Sequence, residues 1–112
     1  MADISIRFMM EPQRSLAFGA ISAVYASIGT AVNNPLRMYD IQNLTDAPLQ
    51  FSIDGVDDHF VVPAYSGRIV DIVSNKTSSG GWYVGKGTSF YVKELTVAAT
   101  LGSVYLSVAY GE

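Results

Sequence analysis

The stretch Leu49-Gln50-Phe51-Ser52-Ile53-Asp54 alternates apolar and polar side chains without a break. A period of two predicts a half-buried strand, with Leu49, Phe51 and Ile53 on the core side. The last run alternates in the same way: Val104, Leu106, Val108 and Tyr110 share one face, with Tyr105, Ser107 and Ala109 opposite. Residues 68–74 and 89–97 are β-branched or aromatic on both faces. That pattern predicts central strands covered on each side, or strands whose outer face meets another subunit. Residues 36–43 form a further strand entered through Asn33-Asn34-Pro35, and another apolar run begins at 59–62.

The segment 16–32 carries two competing signals. Ile21, Val24, Tyr25, Ile28 and Val32 lie at helical spacing, but Gly19, Gly29 and the Ser, Thr, Val and Ile residues between 21 and 30 are poor choices for a helix interior. The expectation is strand and loop. Short runs punctuated by Gly, Asn, Asp and Ser predict an all-β, single-domain antiparallel β-sandwich of jelly-roll or Ig-like kind. Residues 1–13 form an N-terminal arm or first strand and 14–112 the sandwich. No internal repeat is visible, and 75–81 is the longest polar stretch, expected as an exposed loop.

Composition sharpens this picture. The 112-residue chain is 49% hydrophobic and only 15% charged, against roughly 25% charged in an average soluble domain. It can fill a core but has few charges to cover its outside, which points to surface kept against partners. A net charge of −3 and scattered basic residues exclude a general nucleic-acid binder. The absence of cysteine removes disulfides and thiolate metal sites. The start lacks the basic flank and apolar core of a secretory leader. Residues 16–32 are uncharged but rich in small residues and short of the ~20 needed to span a bilayer, so no membrane association is expected.

Three stretches, and the materials of a nucleophilic triad, invite a chemical reading. Asp54, Asp57, Asp58 and His59 crowd three carboxylates beside the chain's one histidine. A calcium loop would need alternating oxygen ligands and a closing Glu, and a zinc site further His or Cys, and neither follows. Asp54-Gly55 between two apolar runs is a strong hairpin signal instead. Residues 80–86 approach a phosphate-binding loop, but Gly87 stands where Ser or Thr must hold magnesium, and strand-like residues follow. Asn43-Leu44-Thr45 fits a glycosylation acceptor and equally a turn before Asp46 and Pro48. A nucleophilic triad has no elbow of the required form. These readings predict a non-enzymatic protein without cofactor or metal. What remains is surface: Ile4, Ile6, Phe8, Met9 and Met10 in the arm, and Trp82 and Tyr83 beside Phe90 and Tyr91, are the candidate interface residues.

The ordered fragments N-x-T-D (43–46), S-x-D-G (52–55), H-x-x-x-P-A (59–64), S-N-K (74–76), G-T-x-x-Y-V-K (87–93) and V-Y-x-x-x-x-Y-G (104–111) together resemble a family of small tailed-bacteriophage virion structural proteins, from Arg14 onward. The resemblance implies a structural role in the virion: a capsid decoration (cement or staple) protein on the shell, or a head–tail connector, neck or tail component. Its implied partners are the major capsid protein or neck and portal proteins, and copies of itself as a dimer or trimer. The motifs carry no catalytic residues. They imply turns at Asn43, Thr45 and Asp46 and at Asp54-Gly55, an exposed loop starting at Asn75-Lys76, and a strand starting at Gly87-Thr88. A carbohydrate-binding sandwich using Trp82 and Tyr83 is the reading from a different class.

Overall fold

The computed structural model describes residues 7–71 and 84–111. Its strands are β1 (Phe8–Met10), β2 (Arg14–Ala17), β3 (Ala26–Ser27), β4 (Met38–Asn43), β5 (Leu49–Ser52), β6 (Phe60–Val62), β7 (Ser66–Asp71), β8 (Tyr91–Glu94) and β9 (Ser103–Gly111). The first half of the chain is laid antiparallel along the second half. β2 pairs with β9, β3 with β8, β4 with β7 and β5 with β6. Wrapping this double ribbon brings β4 against β9 and β5 against β8 as well. The result is one sheet ordered β2–β9–β4–β7, with β1 beside the far end of β9, and a second ordered β3–β8–β5–β6. This is the strand order of a jelly roll, so the jelly-roll form of the expected sandwich is the one observed.

The core lies between the sheets. Ile41, Val104, Leu106 and Val108 point in from the first sheet, and Leu49, Phe51, Val62 and Val92 from the second. Phe51 stacks on Phe60 at 5.5 Å, and Tyr39 tilts against Phe90 at 5.0 Å. Burying each such side chain is worth roughly 1.5–3 kcal/mol.

The segment 16–32 holds no α-helix. A single 3₁₀ turn (Phe18–Ala20) interrupts extended chain. Ile21, Ile28 and Val32 reach the core, while Val24, on the same helical stripe, is 71% exposed. Ile28 and Val32 donate backbone N–H groups to Phe90 and Thr88 carbonyls, at 2.7 and 2.9 Å. The chain here behaves as a ragged continuation of the second sheet, and Gly29 turns it with φ of 70°.

One expectation narrows and another needs correction. Of the two readings of 68–74, the covered central strand is not the one seen: among the described residues β7 ends its sheet, and Gly67, Arg68 and Ile69 are exposed, as they would be on a strand that meets another subunit. β-Branched residues on both faces marked an open edge rather than a doubly covered one. The strand beginning at 49 is not half-buried, since all of Leu49–Ser52 is buried. Ser52 lies under the turn of the loop 53–59, and Gln50 against the Phe60 carbonyl. The strand expected across 89–97 sits centrally as β8. The first strand lies in its own sheet, with Phe8 paired to Gly111 and Met10 to Ala109. Among the described residues, no helix is long and apolar enough to cross a membrane.

Candidate functional site: the tip loop, the buried corners and the apolar sheet face

The loop 53–59 joins β5 to β6 and forms the tip of the double ribbon. Its turn is built around Ser52 and Asp54. The Ser52 hydroxyl donates to Asp54 Oδ1 at 2.8 Å and accepts from the Asp54 and Gly55 amides at 3.1 and 2.9 Å. Asp54 Oδ1 also accepts from the Val56 and Asp57 amides, at 2.8 and 2.9 Å. These backbone bonds, then the Ser52 hydroxyl, pull the Asp54 carboxyl down to about 2. Gly55 has φ of 75°, and a Cβ there would sit 3.2 Å from the Tyr91 ring. Glycine therefore lets the loop lie on that ring.

Asp58 fastens the loop's other side. It accepts from the Tyr25 hydroxyl and lies 3.2 Å from Lys93 Nζ, which itself sits 4.7 Å from the centre of the Tyr25 ring. The bonds from Tyr25 and Lys93 hold the Asp58 carboxyl below its ordinary value. Burial, then the bond to Asp58, pushes the Tyr25 phenol up.

Asp54, Asp57 and His59 bring one ligand atom each within 4.8 Å of the others, so the geometry of a cation site must be weighed. His59 Nδ1 accepts from the Ile53 amide at 3.0 Å, which places the ring proton of the neutral imidazole on Nε2. A metal-bound imidazole needs the opposite: a lone pair toward the ion and a donated N–H behind it. Asp54 Oδ1 is already filled by its three donors, and Oδ2 lies 3.9 Å from His59 Nε2, the nitrogen that carries the ring proton. All three residues are exposed. The cluster is a turn satisfied by its own backbone, in keeping with the hairpin expected from Asp54-Gly55.

Two polar corners lie deeper. Asn43, at the end of β4, is fully buried, as is Thr45. The Asn43 amide donates to the carbonyls of Ala47, Val62 and Pro63 at 3.0, 3.1 and 3.2 Å. Its Oδ1 accepts from the Thr45 amide and hydroxyl at 3.0 and 2.6 Å. One side chain thus closes the crossover to β5 and ties it to the end of β6. A glycosyl group could not be attached to a nitrogen so enclosed. Asp46 continues the corner by accepting from the Thr100 amide and hydroxyl. Gly102 (φ 93°) passes so close that a Cβ would lie 2.0 Å from the Leu44 carbonyl oxygen.

The second corner went unremarked in the sequence. Glu11 and Arg14 flank Pro12 at the elbow between β1 and β2 and are both buried. Arg14 Nη2 meets Glu11 Oε1 at 2.8 Å, and Arg14 also donates to the Thr30 and Ala31 carbonyls. Glu11 accepts from the Asn33 amide and from Asn34 Nδ2. Burial would raise the Glu11 carboxyl, but the bonds from Arg14, Asn34 and Asn33, with the guanidinium charge, hold it below its usual value. The available signal was an opposite-charge pair three residues apart around a proline.

The outward face of the first sheet carries several apolar side chains. Register places Phe8, Met10, Met38, Tyr105, Ala109 and Ile69 on it, opposite the buried row of β9. Phe8 is 63% and Ile69 65% exposed. Asp40, the acid in the middle of this face, accepts from Gln42 Nε2 at 2.7 Å. Met9 turns the other way, level with Tyr110. Of the other expected residues, Gly87 occupies a turn with φ of 92°, closed by the Thr88 amide on the Gly85 carbonyl at 3.2 Å. Extended chain follows it, as the rejection of a phosphate loop requires. Ile4, Ile6, Asn75, Trp82 and Tyr83 lie outside the described residues.

No family model matches the chain, and no curated protein does. One solved structure, a Bacillus endospore appendage from a novel family of disulfide-linked pili, is similar at 17% identity and a TM-score of 0.44, covering 99% of this chain and 94% of that one.

Proposed function

We propose that this chain is a bacteriophage virion structural protein that decorates the assembled capsid, associating with copies of itself and with the major capsid protein. The observation that carries an assembly role is the outward face of the first sheet, where Phe8, Met10, Met38 and Ile69 share the surface with Asp40 and Asp71, and Phe8 and Ile69 are left largely exposed. The resemblance of the ordered motifs to small phage virion proteins supplies the particle. The jelly roll is compatible with it, being common in capsid and lectin domains, though fold alone assigns no function.

The mechanism needs no reactive group. A protein that binds the assembled lattice but not free subunits stabilises the lattice by mass action. Contacts repeated around a symmetric particle reinforce one another through effective concentration. The tip loop has a structural part in this reading: it lies over Ser52 and the Tyr91 ring on the second sheet.

The test adds purified protein to particles lacking it and images them by electron microscopy. Density at hundreds of equivalent shell positions, with raised resistance to heat, is the expected result. Binding in six to twelve copies at one vertex would move the protein to the neck or tail. No binding to any particle overturns the reading.

A further inference from the structure

Each sheet ends in two strand edges, and natural proteins blunt such edges by shortness, proline, charge or a break. β3 has only two residues. β6 has three and runs straight into Pro63. The edge made by β1 and β2 is interrupted at Glu11, Pro12 and Gln13. β7 is neither short nor broken, and its two charges, Arg68 and Asp71, are of opposite sign. It runs six residues without proline or lysine, pairs with β4 along its whole length, and among the described residues pairs with nothing on its other side. Its cation, Arg68, is drawn to 4.8 Å from the centre of the Phe60 ring.

We propose that β7 is a self-pairing edge: it joins antiparallel to β7 of a second copy about a two-fold axis through Ile69. The strand's own charges select both partner and register. Facing residues of an antiparallel pair lie on one side of the sheet. A two-fold axis that keeps the outer faces continuous must therefore pass through 68, 69 or 70. An axis at 68 sets guanidinium against guanidinium. An axis at 70 sets Ile69 against Asp71. An axis at 69 sets Ile69 on itself, Arg68 on Val70, and Asp71 on Gly67, with no like charges opposed. One cation and one anion balance within the strand, so the chain's net charge of −3 does not bar a second copy here. Pairing also makes the two apolar outer faces continuous.

The ladder is about 20 Å long, and the sheets lie about 10 Å apart. The contact therefore falls at the low end of stable interfaces, and the dimer should dissociate on dilution in solution. This deepens the self-association part of the proposed function and is read on purified protein, so its failure would leave particle binding untouched.

The chain has no cysteine, so Ile69→Cys introduces one thiol at a position already 65% exposed. Facing Cβ atoms about 4.5–5.5 Å apart come within disulfide reach after a small shift. Mild oxidation should give a covalent dimer. Ser107→Cys, on the same face but two strands in from the edge, should stay monomeric. By sedimentation, the unaltered chain should show a monomer–dimer equilibrium that Ile69→Lys weakens by about tenfold or more, with the circular dichroism spectrum unchanged. The proposal is overturned by a chain that stays monomeric to about 1 mM. It is equally overturned by a dimer that survives Ile69→Lys and gives no cross-link through Ile69→Cys.

Discussion

Asn43 and Asp54 do the same local job in opposite surroundings. Each stands at or just past the end of a strand, and each uses a short side-chain oxygen to accept backbone N–H in a turn. Asn43 is fully buried and neutral, whereas Asp54 is exposed and ionised. What separates them is whether water can take over when the side chain is removed. At the tip it can, so the turn is a local convenience. At the corner it cannot, so the same chemistry becomes a condition of folding. Glu11 stands between the two, because it is buried but keeps its charge only while Arg14, Asn33 and Asn34 hold it.

The sharpest way to break the comparison is Asn43→Ala. It strips a donor from the Val62 carbonyl and the acceptor from the Thr45 amide, at about 1–3 kcal/mol for each group left unsatisfied, while the Pro63 carbonyl keeps its bond from Ser66 and the Thr45 hydroxyl its bond to Ala47. Urea denaturation should show a loss of about 4 kcal/mol or more, a large part of a domain's total stability. A loss under about 1 kcal/mol would mean that the corner is not the clamp described here.

Glu11→Gln should come next, costing about 2 kcal/mol at neutral pH, since it keeps the shape but loses the charge facing Arg14. Because the folded-state carboxyl is held below its ordinary value, its contribution is complete above the usual glutamate range. That contribution disappears as pH falls through the lowered value. The gap between wild type and variant should therefore close in acid, as followed by thermal unfolding across pH. A gap independent of pH would contradict an ionised Glu11.

Asp54→Ala should have the smallest effect. The fold should persist while the Val56 and Asp57 amides exchange faster with solvent. In the wild-type protein the Asp54 carboxyl should titrate near 2 by nuclear magnetic resonance. The turn should hold above the ordinary aspartate range and loosen only as pH drops through that value. A midpoint near 4 would remove the hydrogen bonds assigned to it.

Much of the architecture was legible because strand alternation is a direct record of which side faces water. β9 keeps the face assignment at Val104, Leu106 and Val108, whereas at its end Ala109, expected on the other face, is buried and Tyr110 is half-buried. Where side chains find partners above the sheet, the record fails: Gln50 and Ser52 look solvent-facing in sequence, yet both are buried, Ser52 under the tip turn and Gln50 against the Phe60 carbonyl. β7 left two readings open for the converse reason, since Ile69 is apolar without being covered. Asn43 and Asp46 were readable as turn residues, but the burial of Asn43 was not, because it depends on carbonyls that the chain reaches only at Val62 and Pro63. Glu11 and Arg14 were passed over because an ion pair around a proline looks the same whether wet or dry.

The double ribbon also sets an order in which the molecule can assemble. Bringing β5 to β6 closes only the short stretch 53–59, while β4 with β7 and then β2 with β9 enclose ever longer spans. Nucleation should therefore begin at the turn that first looked like a reactive centre, and the termini should zip together last. Rate measurements on destabilising substitutions would show it: early structure around Phe51 and Phe60 and late structure along β2, or else a chain that starts from its ends.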